Sequence, residues 1–335
     1  MLQSLWVLNG SHSGRTYRHH DYKIFGTVLC LEVYIIPVIV LLGSTMSIFT
    51  CVVLLRTWLK KKFYSQFLVG MCVSSMGFLF TVQINWMFKQ GISVFDAPGL
   101  CQMYIFCSHF FPLLAFLLSV TSAMLVLFDL YLRMEDRALD EPAGTAKLWV
   151  IGLAIFAFTI YSYKTWTHGT FRSMSGTECS VIPESEKAME VLNVFDLLLL
   201  LYLPSLCFLV FDVILLSWTC GRVFMTHVDV YKRRHAEVLK IVLCHSVCFH
   251  LLITPRAISS SIVTYNRYVY RKEPTSEDLA VNQSLQIIFY LFFALNPIFP
   301  FCVSRKFRRN ASVLFKNGCS RDITMRHRRP LSPVP

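Results

Sequence analysis

The chain carries no enzyme signature. It has no GxSxG, no HExxH and no glycine-rich phosphate loop, so the acyl-transfer, zinc-hydrolase and nucleotide chemistries built on those spacings have no template. It also has no CxxC pair and no His/Cys cluster, and neither a metal centre nor a cofactor is expected. Internal repeats and low-complexity tracts are absent, which argues for one domain. No apolar stretch alternates in polarity as a barrel strand must, since runs such as Leu197-Leu198-Leu199-Leu200-Leu201 are apolar throughout. Residues 1–22 contain no apolar core long enough for a cleaved leader, so the first span is expected to act as the targeting signal.

What the sequence has is oil. Hydrophobic residues make up 55% of the 335, with mean hydropathy +0.52. Seven stretches each reach the ~20 residues that cross a ~30 Å hydrocarbon core. They lie at about 25–55, 64–88, 101–132, 147–163, 189–224, 236–264 and 279–303. Lipid offers backbone groups no partner, so each must be helical. The expected fold is an all-α membrane protein, a seven-transmembrane helix bundle with a short amphipathic eighth helix. The expected parts are a tail over 1–22, the bundle over 23–303, the amphipathic helix over 304–318 and a disordered cytoplasmic tail over 319–335.

Orientation follows the basic residues. The first connection holds Arg56, Lys60, Lys61 and Lys62, and the third holds Arg133, Arg137 and Lys147. The fifth holds Lys232, Arg233, Arg234 and Lys240, and the final segment runs Arg305, Lys306, Arg308, Arg309, Lys316, Arg321. All fall on one side of a seven-span chain. Acidic residues gather on the other: Glu178, Glu184, Glu186, Glu273, Glu277 and Asp278. The expectation is an extracellular N-terminus, a cytoplasmic C-terminus and a +12 net charge that meets anionic lipid. Because that charge sits beside membrane spans, no nucleic-acid partner is expected. Asn9 heads a glycosylation triplet that would be usable outside.

Of the 12 cysteines most lie within spans, where they act as small apolar groups. Cys101 and Cys179 fall on the outer side, in an oxidising compartment. A bridge between them would pin the second outer loop across the bundle mouth. Cys107 is the alternative partner.

Marks on successive spans resemble the rhodopsin-like family of G-protein-coupled receptors. The second span reads Phe67-Leu68-Val69-Gly70-Met71-Cys72-Val73-Ser74-Ser75, similar to the family's FLxxLAxxD with Ser75 in place of the Asp. The third ends Asp129-Leu130-Tyr131, similar to the Asp-Arg-Tyr box with Leu130 in place of the Arg; Arg133 stands almost a turn on. Pro204 matches the proline of the fifth span. Phe249 precedes Pro255 by the family's six residues, with Ile253 where a Trp is expected. Asn296-Pro297 matches the pair in the seventh, with Pro300 replacing the Tyr. Ser304-Arg305-Lys306-Phe307-Arg308-Arg309 resembles the amphipathic eighth helix, and Cys319 just past it is a candidate for palmitoylation, with a plain reduced cysteine as the alternative. Trp149 is the counterpart of the fourth span's tryptophan. The texture of the fifth to seventh spans, with a short inner loop between the fifth and sixth, looks most like invertebrate neuropeptide receptors. One departure is that Cys101 to Asp129 is about one helical turn longer than in the family.

The resemblance implies an extracellular ligand, expected to be a peptide, with a heterotrimeric G protein or arrestin inside and membrane lipid around. It assigns activation and transducer roles to Asp129, Leu130, Tyr131, Arg133, Phe249, Pro255, Asn296 and Pro297. The loss of Arg at Leu130 raises an alternative: a ligand-binding receptor with weak or absent G-protein coupling. A transporter or channel is the other class, usually marked by repeated halves or broken helices in corresponding positions. No bond is expected to be made or broken.

Ionisable and polar side chains inside spans turn away from lipid. Asn85, Asp196, Arg256, Gln286 and Tyr290 therefore mark a ligand site near the outer face. For Arg256 two readings stand together: a partner for an anionic ligand group, or an ion pair with Asp196. The third span lacks the Asp of amine receptors and the seventh lacks the Lys of opsins. That leaves a peptide or an acidic lipid. The acidic outer loops favour a basic peptide and Arg256 favours an anion, and the sequence does not choose.

Overall fold

The computed structural model describes residues 19–134, 143–173, 176–222, 229–270 and 274–316, with the backbone alone at, among others, 129–134 and 229–237. It is a seven-helix bundle whose spans are each long and apolar enough to cross a membrane, which makes this a multi-pass membrane protein. The first three spans are α1 (His19–Arg56), α2 (Phe63–Lys89) and α3 (Leu100–Met134). The fourth is α4 (Ala143–Tyr161) with a short continuation, α5 (Lys164–Thr167). A hairpin of β1 (His168–Ser173) and β2 (Gly176–Val181) follows, antiparallel, with Thr170 opposite Cys179. The fifth span joins α6 (Glu186–Leu197) and α7 (Leu203–Arg222) through a π-helical turn at Leu198–Tyr202. The sixth is α8 (Asp229–Val269) and the seventh is α9 (Ser276–Leu295) continued by α10 (Phe299–Val303). Last comes α11 (Arg305–Lys316).

Local chemistry sets these boundaries. Thr275 starts α9 with a reciprocal cap, its Oγ1 accepting from the Asp278 N–H while the Asp278 carboxylate accepts from the Thr275 N–H. Pro297 cannot donate a helical N–H, and the chain tightens to a 3-10 turn at Asn296–Ile298. Just ahead of Pro204 the Leu203 N–H reaches back five residues to the Leu198 carbonyl, which opens the π turn. Sixth-span Pro255 lies within an unbroken α8. At 41 residues that helix is about 60 Å long, roughly twice the hydrocarbon core.

Two apolar faces on one helix show what the solvent is. On α7, Phe208, Phe211 and Leu215 are buried, while Leu206, Leu209, Val213 and Leu216 are exposed at the same spacing on the other side. A water-soluble helix would carry polar groups there. The interior is dominated by phenylalanine. Phe116 meets Phe249 at 5.1 Å between ring centroids, Phe249 meets Phe208 at 5.0 Å, and Phe78 meets Phe293 at 4.4 Å. Phe249, expected at the activation centre, is thus a fully buried core ring. Helix α1 packs tightly where it has no side chain: a Cβ on Gly43 would lie 2.8 Å from the Ala294 Cα.

The eighth helix forms as its pattern requires. Phe307 and Ala311 on α11 are buried against Val53 and Leu54 of α1, and Arg305, Lys306, Arg308 and Arg309 are exposed. Arg308 donates from Nη1 to the terminal carbonyls of Phe301 and Cys302 at 3.0 and 2.6 Å. The bundle thus has a hairpin end and an α11 end. Trp149 is half exposed on α4, on the outside of the bundle.

Candidate functional site

At the hairpin end Cys101, in the first turn of α3, is bonded to Cys179 of β2. Both sulfurs are buried with Phe95, Tyr104 and Ile105. Cys107 is free, which settles the pairing. Six residues further along α3 it stands about 240° around the helix and ~9 Å along it, away from the hairpin. Helix α3 is continuous over 35 residues, so the long interval from Cys101 to Asp129 is extra helix.

Beside the hairpin a cavity opens between α3, α6 with the π turn, α8 and α9. Its volume is about 110 Å³, room for several waters. Asp196 and Arg256 both line it, as expected from their heights in the fifth and sixth spans. They do not pair with each other. Asp196 Oδ2 accepts from Lys164 Nζ at 2.6 Å and Oδ1 accepts from the Tyr163 hydroxyl at 3.0 Å. The expected ion pair therefore gives way to one with Lys164, a residue on the short α5 that turns inward beneath the hairpin. Lys164 is fully buried, a position that an ammonium holds only with a carboxylate partner.

His109 completes this corner. Its Nδ1–H donates to the Ile105 carbonyl at 2.9 Å, which leaves Nε2 4.0 Å from Asp196 Oδ2. Next to α5, His168 is buried with Nδ1 3.0 Å from the Thr167 hydroxyl. Burial, reinforced by the Lys164 charge, pushes its pKa down to about 4.

Across the cavity Arg256 is 8% exposed, with its guanidinium carbon 4.1 Å from the centroid of the Phe289 ring. Its Nε and Nη1 atoms are buried without a hydrogen-bond partner among the described residues. Ser260, Thr264 and Arg267 line the cavity above it on the same helix. Spacings of four, eight and eleven residues put all four on one stripe of α8.

The other expected ligand residues stand elsewhere. Gln286 donates to the Tyr290 hydroxyl at 2.5 Å; both are buried, and neither lines the cavity. Tyr290 packs its ring 5.8 Å from Phe78. Asn85 is half-buried on α2 and is also outside the lining. Toward the α11 end, Asn296 donates to the Ser75 hydroxyl at 3.2 Å and pairs with the buried His245 ring. Thr50 donates to the Pro297 carbonyl at 2.8 Å. Ser75 is thus part of a polar contact joining α2, α8 and the seventh span. Asp129, Leu130, Tyr131 and Arg133 lie on α3, with side chains outside the described set. Asn9, Cys319 and the two terminal tails lie outside the described residues, as does Arg137.

Several polar clusters were not singled out from the sequence. Glu32 on α1 is buried, ion-paired with Lys89 and accepting from Gln283 Nε2 at 2.6 Å, so it ties α1, α2 and α9. Asp212 accepts from the Ser246 hydroxyl at 2.6 Å and lies 3.7 Å from His250 Nε2. The rule that picked Arg256, an ionisable group inside an apolar run, applies equally to Glu32 and Asp212. Among the described residues no group of three or more side chains could hold a metal ion. No protein-family model matches this chain, and no curated protein matches it either.

Proposed function

We propose that the protein is a ligand receptor of the rhodopsin-like kind in the plasma membrane, with its N-terminus and hairpin end extracellular. The observation that carries this reading is a polar-floored cavity beside a disulfide-pinned hairpin, bounded by four proline-bearing spans: the third with Pro112, the fifth with Pro204, the sixth with Pro255 and the seventh with Pro297. A ligand seated there contacts α3, the π turn ahead of Pro204 and the face of α8 next to Pro255. Differential contact with two arrangements of those helices shifts the equilibrium between them. The polar contact among Ser75, His245 and Asn296 lies on the route toward the α11 end. There the transducer, a G protein or arrestin, would meet the end of α3 and the basic start of α8.

A panel of peptides and acidic lipids on cells expressing the full chain tests this. A dose-dependent recruitment of G protein or arrestin supports it. Solute uptake or current in reconstituted vesicles without recruitment sinks it in favour of a transporter or channel. The second reading, binding without G-protein coupling, is favoured by Leu130. Leu130→Arg is expected to raise G-protein activation, and arrestin recruitment with no G-protein signal in either form would select the uncoupled receptor.

A further inference from the structure

The same cavity has a definite charge once its ion pairs are assigned, and the inference rests on the receptor reading only for its biological setting. Asp196 is neutralised by Lys164 and hydrogen-bonded by Tyr163. Its negative charge is therefore not on offer to a cationic ligand. Arg256 has a buried guanidinium on the floor, with Nε and Nη1 unpaired and a ring face at its back. Arg267 lines the mouth, about 16 Å further along α8. Leaving a buried charged donor unpaired costs more than the same group would lose in water. A site that keeps one open is built to be filled by an acceptor of opposite charge.

The walls say what accompanies that acceptor. Facing the α8 stripe, Leu197, Leu200 and Leu201 present an apolar surface from the fifth span, continued by Pro112 and Phe289. Near the same wall, Asn193 Oδ1 is buried without a hydrogen-bond partner among the described residues. We infer that the cavity binds a carboxylate-bearing ligand with an apolar body, its carboxylate on the Arg256 guanidinium and its chain against the leucine wall. Guanidinium and carboxylate are matched in shape as well as charge, through two parallel hydrogen bonds. This chooses the anion over the basic peptide that the acidic outer loops suggested. The carboxylate has two sources, a fatty acid or the free C-terminus of an apolar peptide.

The test uses the purified full chain in lipid nanodiscs, with binding read by thermal shift and calorimetry. The probes are decanoate against decanamide, and an acetylated phenylalanyl-leucine dipeptide as free acid against its C-terminal amide. The expected result is that at least one acid binds about tenfold or more tightly than its amide. Arg256→Gln should abolish that preference and Arg256→Lys should keep part of it. Decanoate alone preferred indicates a lipid source, and the dipeptide acid alone preferred indicates a peptide source. Equal binding of acids and amides overturns the inference, as does failure of every probe to bind. If Arg256→Gln does not fold, the acid-to-amide ratio on the unmodified chain decides. Acid-selective binding without transducer recruitment in cells would sink the receptor reading and leave this one. Recruitment by a ligand lacking any carboxylate would do the reverse.

Discussion

A carboxylate inside an apolar bundle has to be neutralised by something near it, and Asp196 takes its partner from an unexpected element. Lys164 comes from the turn of helix after α4, eliminating the Arg256 pairing that helix heights alone would suggest. Removing one member of such a buried pair strands the other. Asp196→Asn is expected to lower stability by about 3–5 kcal/mol, whereas the double change Lys164→Met with Asp196→Leu should recover most of it. Melting of the three proteins in nanodiscs checks this, and equal loss in single and double variants would contradict it. His168 adds a pH dependence. Its pKa falls from the ordinary 6.5 to about 4 on folding, so between those values the unfolded chain binds more protons than the folded one. Stability is then complete above about pH 6.5 and declines as acid approaches pH 4. Replacing His168→Gln should flatten the melting temperature across that window. A slope unchanged by the substitution would assign it to other groups.

Among the elements, the hairpin is the one whose position depends most on a single covalent link. Cys101–Cys179 closes a loop of 78 residues, for which chain-entropy arguments give about 4–5 kcal/mol. Cys101→Ser and Cys179→Ser should therefore cut surface expression to a similar degree, with the double variant little worse than either. Cys107→Ser should leave it near normal. Loss with Cys107→Ser but not Cys101→Ser would place the bridge elsewhere. Element limits were largely legible, because length, apolarity and proline placement are local properties. The pairing of Cys101 rather than Cys107 was not, since it depends on which side of α3 faces the hairpin. The same reason separates Asp196 and Arg256, which do line the cavity, from Gln286, Tyr290 and Asn85, which do not. Height along a helix is readable from distance to a proline. Rotation is decided by packing, and a single sequence in which every face is apolar carries little periodic signal for it. Helix α11 is the counterexample: its basic and aromatic run made an amphipathic helix legible, though not its seat on α1 through Phe307 and Ala311.

For the whole molecule, parity is the property on which the proposed orientation turns. Seven crossings put the two termini on opposite sides. The sign of each side follows from charge: Lys60, Lys62, Lys147, Lys240 and the exposed arginines of α11 all lie toward one end of the bundle. Glu184, Glu186, Glu277 and Asp278 lie toward the other, at the starts of α6 and α9. Basic loops stay on the cytoplasmic side during insertion. An epitope placed before residue 19 should therefore be stained on intact cells, and one placed after residue 316 only once the membrane is permeabilised. The reverse pattern would turn the cavity toward the cytosol and remove the receptor reading while leaving the bundle intact. Staining of both tags on intact cells would instead mean an even number of crossings. That outcome would require one of the seven helices to leave the membrane, and α4 is the one to probe first. It buries only 17% of its apolar window against the rest of the protein, so the bundle holds it least and lipid must hold it most.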